Sequence, residues 1–507
     1  QTHGTHTLGI MAGSFKGEAT VANYADGRAN VTTAPNPYYG VACNSTLYAS
    51  SGANYDALIA YAVDGMLEYR WDKAHDTPIV INLSLGGNQG PHDGSGMLTQ
   101  YLDTVAVLDN ALICISSGNE GNLPIAYHKR LTATDNSFAT FIRPYQYSDM
   151  RYGMVEFYSD SAEDFDVSII IYNKARGRIA RTFPLNNKEG QIQYICSSAD
   201  YQQDETDIID ATFAKAYQGY VGVGGLLDPD SGRFYAAIDY YTVNTDENPA
   251  DDRTSEAQYT LGFLVTGKDG QRIDCYCDGA FTALDSYGYE GFVDGMCNGS
   301  ISDIATGKKT IAVGSYNTKA TACSIYGFPL SFDETYPEGE VTDFSSFGTL
   351  VDGRNLPHLV APGNLIVSSM STPYLKNAAN GVTDQIVSVK YSDSKRDHYF
   401  YPMMGTSMAS PFVAGTVALM LEADPTLTYE RARSILMETA TKDAAANHIL
   451  DPVQIGAGKL NSYAAVKRVL DEVNAIGSPS ATSNRIFFTA TGQRTFKAYL
   501  AGARQMD

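Results

Sequence analysis

The chain has 507 residues, 44% hydrophobic and 18% charged, with a formal net charge of −21. That length is enough for two or three domains with full cores, and the acidic excess excludes nucleic acid as a sensible partner. Seven cysteines leave at least one thiol unpaired, so this is no disulfide-dense scaffold, and no apolar run reaches the ~18 residues of a membrane span.

The chain opens on His3-Gly4-Thr5-His6-Thr7-Leu8-Gly9-Ile10-Met11-Ala12-Gly13. Gly40-Val41-Ala42-Cys43-Asn44-Ser45-Thr46-Leu47-Tyr48-Ala49-Ser50 follows, and from Asn54-Tyr55 to Glu68-Tyr69 apolar residues recur at helical period. That stretch leads into Pro78-Ile79-Val80-Ile81-Asn82-Leu83-Ser84-Leu85-Gly86-Gly87. Ala111-Leu112-Ile113-Cys114-Ile115-Ser116 is a short apolar run that suits a buried parallel strand. It breaks into Ser117-Gly118-Asn119-Glu120-Gly121, which taken locally reads as a turn. Cys114, inside the run, is expected to be buried and inert.

From 126 to 296 the texture changes. Met154-Val155-Glu156-Phe157-Tyr158 alternates, and Phe165-Asp166-Val167-Ser168-Ile169-Ile170-Ile171-Tyr172 reads as a strand. Residues 191–196, 234–243 and 258–266 are further strand candidates, punctuated by turns at Asp228-Pro229-Asp230-Ser231-Gly232 and Gly267-Lys268-Asp269-Gly270. Short strands without a helical run of comparable strength predict an antiparallel β-sandwich or jelly roll. Cys275 and Cys277 have no His or Cys cluster around them, too little for a zinc site.

Thr310-Ile311-Ala312-Val313-Gly314-Ser315 is another core strand, and Phe344-Ser345-Ser346-Phe347-Gly348 leads on to Pro357-His358-Leu359-Val360-Ala361-Pro362-Gly363. Met404-Gly405-Thr406-Ser407-Met408-Ala409-Ser410-Pro411 is the most informative stretch. A Ser flanked by Gly and Thr and followed by small residues suits a nucleophile at a helix start. Gly405 lets the backbone turn and a carbonyl approach, and the helix end aims unpaired N–H groups at Ser407. Residues 412–421 are apolar all round, so that helix is expected to run through the core. Residues 475–484 have linker composition, and 485–494 read as one strand and a turn, too little to fold alone.

Together these motifs resemble the subtilases, the subtilisin-like serine peptidases, over about 1–125 and 297–470. The resemblance implies an α/β fold, a parallel sheet flanked by helices. Residues 126–296 would then form an inserted antiparallel β-domain, as the clostridial spore-germination subtilases similarly carry, and 471–507 a linker and partial C-terminal segment. It also implies that His3, on a buried helix, takes the proton from Ser407 and returns it to the leaving amine. His6 would be structural, and the histidines at 75, 92, 128, 358, 398 and 448 surface or loop residues. Asn119 would donate its amide to the oxyanion together with the Ser407 N–H. The S-L-G-G end, Ser84, Leu85 and Gly86, would pair with the substrate backbone opposite Ser116, Ser117 and Gly118. The closing G-x-G-x-x-N motif matches Gly456, Gly458 and Asn461, while Cys43 stands where the family usually has Pro.

The implied function is endopeptidase cleavage of peptides or proteins through an acyl-enzyme on Ser407, by a secreted or cell-surface protein. The other reading is a catalytically silent subtilase that binds peptides or partner proteins. No cofactor or metal is expected; structural calcium, common in the family, stays open because its main site involves segments missing or diverged here. The family's triad Asp ends a strand upstream of the His, and only Gln1 and Thr2 precede His3. Asp230-Ser231-Gly232 resembles the Asp motif but reads as a hairpin turn. The simplest account is a fragment starting mid-domain, its Asp supplied by an N-terminal segment or chain; a nicked two-chain enzyme and a degenerate pseudo-protease are the others. Without that Asp the chain alone is expected to be nearly inactive, by roughly 10⁴-fold in a related triad. The inserted segment would be either a rigid spacer or a gate for substrates.

Overall fold

The computed structural model describes the chain apart from residues 1, 26–27, 53–54, 74–76, 145–149, 230, 245–257, 279–281, 333–336, 378–381, 392–396, 444–450, 477–496 and 502–507. Four strands, Ile79–Leu83, Ala111–Ser116, Ile311–Asn317 and Leu359–Asn364, lie side by side and parallel, in that order. Lys497–Ala501 continues the sheet in parallel between Ile79–Leu83 and Thr46–Ser50.

Every residue of Ile79–Leu83 and Ala111–Ser116 is buried, which explains why the runs are continuously apolar rather than alternating. Alternate side chains still face opposite ways. Val80, Leu112 and Cys114 pack with Met11, Val413, Val417 and Leu421. Ile79, Ile81, Ile113 and Ile115 pack instead with Ile59, Met66, Leu102 and Val105. The first layer is thus helices Thr2–Ala12 and Thr406–Ala423, the second Asp56–Lys73 and Met97–Leu108. The two helices of the first layer touch at Gly415, where a Cβ would meet Val41 Cβ at 2.7 Å and Met11 O at 2.9 Å.

A second sheet was not legible in the sequence. Arg28–Pro35, Glu18–Ala25, Ser388–Lys390, His398–Met403 and Ile366–Met370 form an antiparallel array in that order. It braces the His3 helix: Ser368 Oγ donates to His6 O at 2.8 Å, and the His6 ring Nε2 pairs with Tyr401 O at 2.9 Å. His398–Met403 then runs almost directly into Gly405.

Between Ala126 and Asp285 the chain builds two sheets, one of five strands, antiparallel throughout, and one of seven, antiparallel except for the parallel edge pair Gln193–Cys196 and Ile208–Ile209. They share an apolar core, with Phe157 edge-on to Phe263 at 4.9 Å and Phe165 edge-on to Phe234 at 5.1 Å. Strand Tyr217–Leu227 escapes a sequence reading because Gly219, Gly222, Gly224 and Gly225 interrupt its pattern. The chain enters at Ala126 and leaves at Met296, and these two residues exchange backbone hydrogen bonds of 3.2 and 2.6 Å. Asp230 and residues 485–494, read as turn and strand from the sequence, lie outside the described residues.

Candidate active site

Gly405 has φ +136° and precedes the helix that begins at Thr406, a conformation that favours glycine. Its N–H is held by Gly363 O at 2.8 Å. Pro411, inside the same helix, has no N–H to give to the Ser407 carbonyl four residues back. Ser84 Oγ supplies the missing donor, reaching Ser407 O at 2.7 Å. Asn82 Nδ2 donates to Ser84 Oγ at 2.9 Å, and Ser410 Oγ returns to Asn82 Oδ1 at 2.8 Å. This buried network ties the Ser407 turn to the strand Ile79–Leu83. Ser407 itself is half-buried, with Oγ 3.5 Å from Ser84 O.

Asn119 is oriented by the residue before the nucleophile. Thr406 donates to its Oδ1 from both backbone N and Oγ1, at 2.9 and 3.1 Å. With its oxygen so engaged, the amide presents Nδ2 as the free donor. A Cβ built on Gly405 would lie 3.6 Å from Asn119 Nδ2 and 3.7 Å from Ser407 N. Asn119 Oδ1 is nearer still, at 3.4 Å, so the bare Gly405 keeps open a space bordered by the Ser407 N–H and by both ends of the Asn119 amide; N–H groups placed there can stabilise an oxyanion. Glu120 steadies Asn119 from behind, accepting its backbone N–H at 2.7 Å; burial pushes the Glu120 carboxyl up.

The segments 84–87 and 116–118, expected from the sequence to flank a substrate, are joined by a residue that sequence reasoning missed. Ser302 Oγ accepts from Gly87 N at 2.9 Å and donates to Gly87 O at 3.1 Å, while its N–H donates to Ser117 O at 2.8 Å. Ser116 Oγ adds a bond to Leu85 O at 3.2 Å. Gly118 has φ +111°, and a Cβ there would strike Ser346 Oγ at 2.7 Å. The F-S-S-F-G run was the available signal for Ser346; nothing local marks Ser302.

His3 sits on Thr2–Ala12, half-buried, and no hydrogen bond joins its ring to Ser407 among the described residues. Its Nδ1 is buried with no hydrogen-bond partner there, and burial lowers its pKa to about 4. His6 is fully buried and likewise lowered to about 4 by burial. Two other histidines correct the surface expectation. His92 and His358 are both buried, His92 stacked on Tyr276 and His358 accepting from Ala312 N at 2.9 Å. Their loop placement holds, but a ring contact or a backbone bond buries each one. His128 and His398 lie in strands, and 75 and 448 fall outside the described residues. Cys114 is buried. Among the described residues no group of three or more His, Cys, Asp or Glu is placed to hold a metal ion.

The sequence model of the Subtilase family matches residues 1–148 and 239–458. The chain belongs to the subtilase family. This subtilase is 30% identical over 167 residues to serine protease AprX of Bacillus subtilis (strain 168), covering 33% of this chain and 32% of that one. It is 30% identical over 159 residues to the minor extracellular protease Vpr of the same organism, covering 31% of this chain and 17% of that one. The matched region thus spans about a third or less of these two relatives. Among solved structures, the Clostridium perfringens CspB protease aligns over 93% of the subtilase and 81% of its own chain, with TM-score 0.58 and 17% identity. That likeness shows a shared fold. No helix among the described residues is long and apolar enough to cross a membrane.

Proposed function

We propose that this subtilase is a serine endopeptidase acting through an acyl-enzyme on Ser407. Ser407 Oγ attacks the scissile carbonyl, His3 takes its proton and returns it to the leaving amine, and the oxyanion forms against Asn119 Nδ2 and the Ser407 N–H. An extended peptide lies between 84–86 and 116–118, pairing through its main chain. The observation that carries this reading is that Asn119, its Oδ1 held by the Thr406 N–H at 2.9 Å, and the Ser407 N–H border the same space kept open by Gly405. A pKa of about 4 leaves His3 neutral at physiological pH, as a general base must be.

The buried, unpartnered Nδ1 of His3 is a place for an acceptor. We assign that role to a carboxylate outside the described residues, contributed by an N-terminal segment or a separate chain. The same orphaned atom favours the second reading, a subtilase that binds peptides without turnover. In our reading the five- and seven-stranded sheets form an inserted β-sandwich across 126–296, and extracellular relatives such as Vpr support a secreted or cell-surface setting.

A fluorophosphonate probe separates the readings. Labelling that is lost in Ser407→Ala, with peptide hydrolysis restored by an upstream segment carrying the Asp, supports the peptidase. Stable peptide binding without any labelling supports the silent module, and undiminished labelling after Ser407→Ala shows that another nucleophile was at work.

A further inference from the structure

The substrate edge does not end at Gly87. Its continuation, 88–94, is enclosed from two directions. From the parallel-sheet side, Asp303 Oδ1 accepts the His92 N–H at 2.9 Å, and the Asp303 N–H donates to Gly87 O at 3.0 Å. From the seven-stranded sheet, Glu156 Oε2 accepts the Gly90 N–H at 2.6 Å. Two phenols hold Glu156 in turn: Tyr235 donates to Oε1 at 2.9 Å and Tyr158 to Oε2 at 3.3 Å. The Tyr276 ring lies flat on His92, centroids 3.8 Å apart and 6° from parallel. Arg233 completes the contact by pairing with Asp93, both side chains nearly buried.

The loop is held in a demanding path. Gly90 has φ +127°, and a Cβ on it would run into the Asp303 carboxyl at 2.4 Å. His92 has φ +50°, a left-handed conformation that costs a non-glycine residue of order 1–3 kcal/mol unless its surroundings impose it. Gly86 and Gly87 are exposed and have no side chains to pack, so their conformation depends on what anchors them. The anchors on the far side of this pair are Ser302 and the Asp303 N–H, at Gly87 itself, Glu156, three residues on at Gly90, and the Asp303 carboxyl at His92.

We propose that Glu156 is a positioning residue for the peptide substrate: through Gly90 it fixes the edge 84–87 against which the substrate main chain pairs. The two-sheet segment then sets the geometry of one side of the cleft without touching substrate. This rests on the peptidase reading, and it goes beyond that reading by coupling the edge to a carboxylate from outside the parallel-sheet core.

The test compares Glu156→Ala with Glu156→Gln in the full chain. Hydrogen exchange followed by mass spectrometry reads the edge without requiring activity. We expect Glu156→Ala to speed exchange in 84–94 by at least about tenfold while 111–118 is unchanged, and Glu156→Gln, which keeps an acceptor of the same size, to stay near the parent. Two Ser407 reagents read the consequence: a tetrapeptidyl phosphonate should react at least about fivefold more slowly with Glu156→Ala, and a small alkyl fluorophosphonate at the parent rate. Unchanged exchange in 84–94, exchange raised throughout the core, or equal slowing of both reagents overturns the proposal. If neither reagent labels the parent chain even with the segment carrying the Asp supplied, the peptidase reading has failed, and exchange still decides whether Glu156 holds the edge.

Discussion

Pro411 and Ser84 should be energetically coupled, because one removes a donor from the Ser407 carbonyl and the other replaces it. Ser84 is buried, and its hydroxyl bonds both Ser407 O, at 2.7 Å, and Asn82 Nδ2, at 2.9 Å. Ser84→Ala therefore leaves a buried carbonyl and one amide hydrogen unmatched, a loss of about 2 kcal/mol at ~1 kcal/mol for each. Restoring an N–H with Pro411→Ala lets the helix satisfy Ser407 O by itself, so in that background Ser84→Ala forfeits only the Asn82 contact, about 1 kcal/mol. For a folding unit of this size 1 kcal/mol shifts the melting midpoint by roughly 2 °C. The expected cost of Ser84→Ala is thus a fall of about 4 °C in the parent and about 2 °C in Pro411→Ala. Thermal unfolding of the four proteins of this cycle, followed by near-ultraviolet circular dichroism, measures it. Equal falls in both backgrounds would refute the claim that Ser84 stands in for the proline's missing donor.

Gly405→Ala should abolish fluorophosphonate labelling of Ser407 while the chain still folds, since the new methyl would sit 3.6 Å from Asn119 Nδ2 and 3.7 Å from Ser407 N; labelling at the parent rate would show that the space is not used. Thr406→Val should slow labelling about fivefold, one hydrogen bond's worth, and should have no further effect once Asn119→Ala has already removed the donor. An equal effect in both backgrounds would mean that Thr406 acts through its packing or its bonds to Gly118 rather than through Asn119. With Nδ1 unpartnered, burial lowers the His3 pKa to about 4, so labelling of this chain alone should hold steady as pH falls from neutrality and decline only near that value; a carboxylate supplied at Nδ1 should move the break upward, and a break at the ordinary 6.5 in its absence would show that His3 is not the base or is not buried. Replacing 128–295 with a short loop also removes Glu156, so substrates that pair along 84–87 should be cut more slowly, but if the segment gates the cleft, hydrolysis of proteins should fall less than that of small peptides. Equal changes would favour a spacer.

What was legible in the sequence had a local cause. Ile79–Leu83 and Ala111–Ser116 are buried on both faces, and a strand covered on both sides must be a continuous apolar run. Gly405, Ser407 and Asn119 were marked by the fixed residue types that a tight turn and a helix start demand. The bracing antiparallel sheet was hidden because Arg28–Pro35 is mostly exposed and shows no alternation, and Ser388–Lys390 has three residues. His92 was misread because its neighbours in sequence are Gly, Pro and Asp, whereas the Tyr276 ring that buries it comes from a remote strand. Thr406, Ser302 and Glu156 owe their placement to contacts across the fold, which no local pattern encodes.

The chemistry of these supports differs with distance from Ser407. The groups that bond to the nucleophile's turn or to the two substrate edges, Asn82, Ser84, Ser302, Thr406 and Ser410, are all neutral hydroxyls or amides. Glu156 and Asp303 lie one step further out and accept the N–H groups of Gly90 and His92, while Glu120, beside Gly118, accepts the Asn119 N–H. Neutral donors and acceptors can be matched in a buried site without the cost of desolvating an ion. They also leave the potential at Ser407 to the helix end and to the N–H groups aimed at the Gly405 space, where negative charge would develop. A carboxylate beside that space would oppose an oxyanion. Held at a distance and bonded to main-chain N–H groups, the same carboxylates stiffen the edges instead, which is why loosening one of them should change peptide recognition before it changes the reactivity of Ser407.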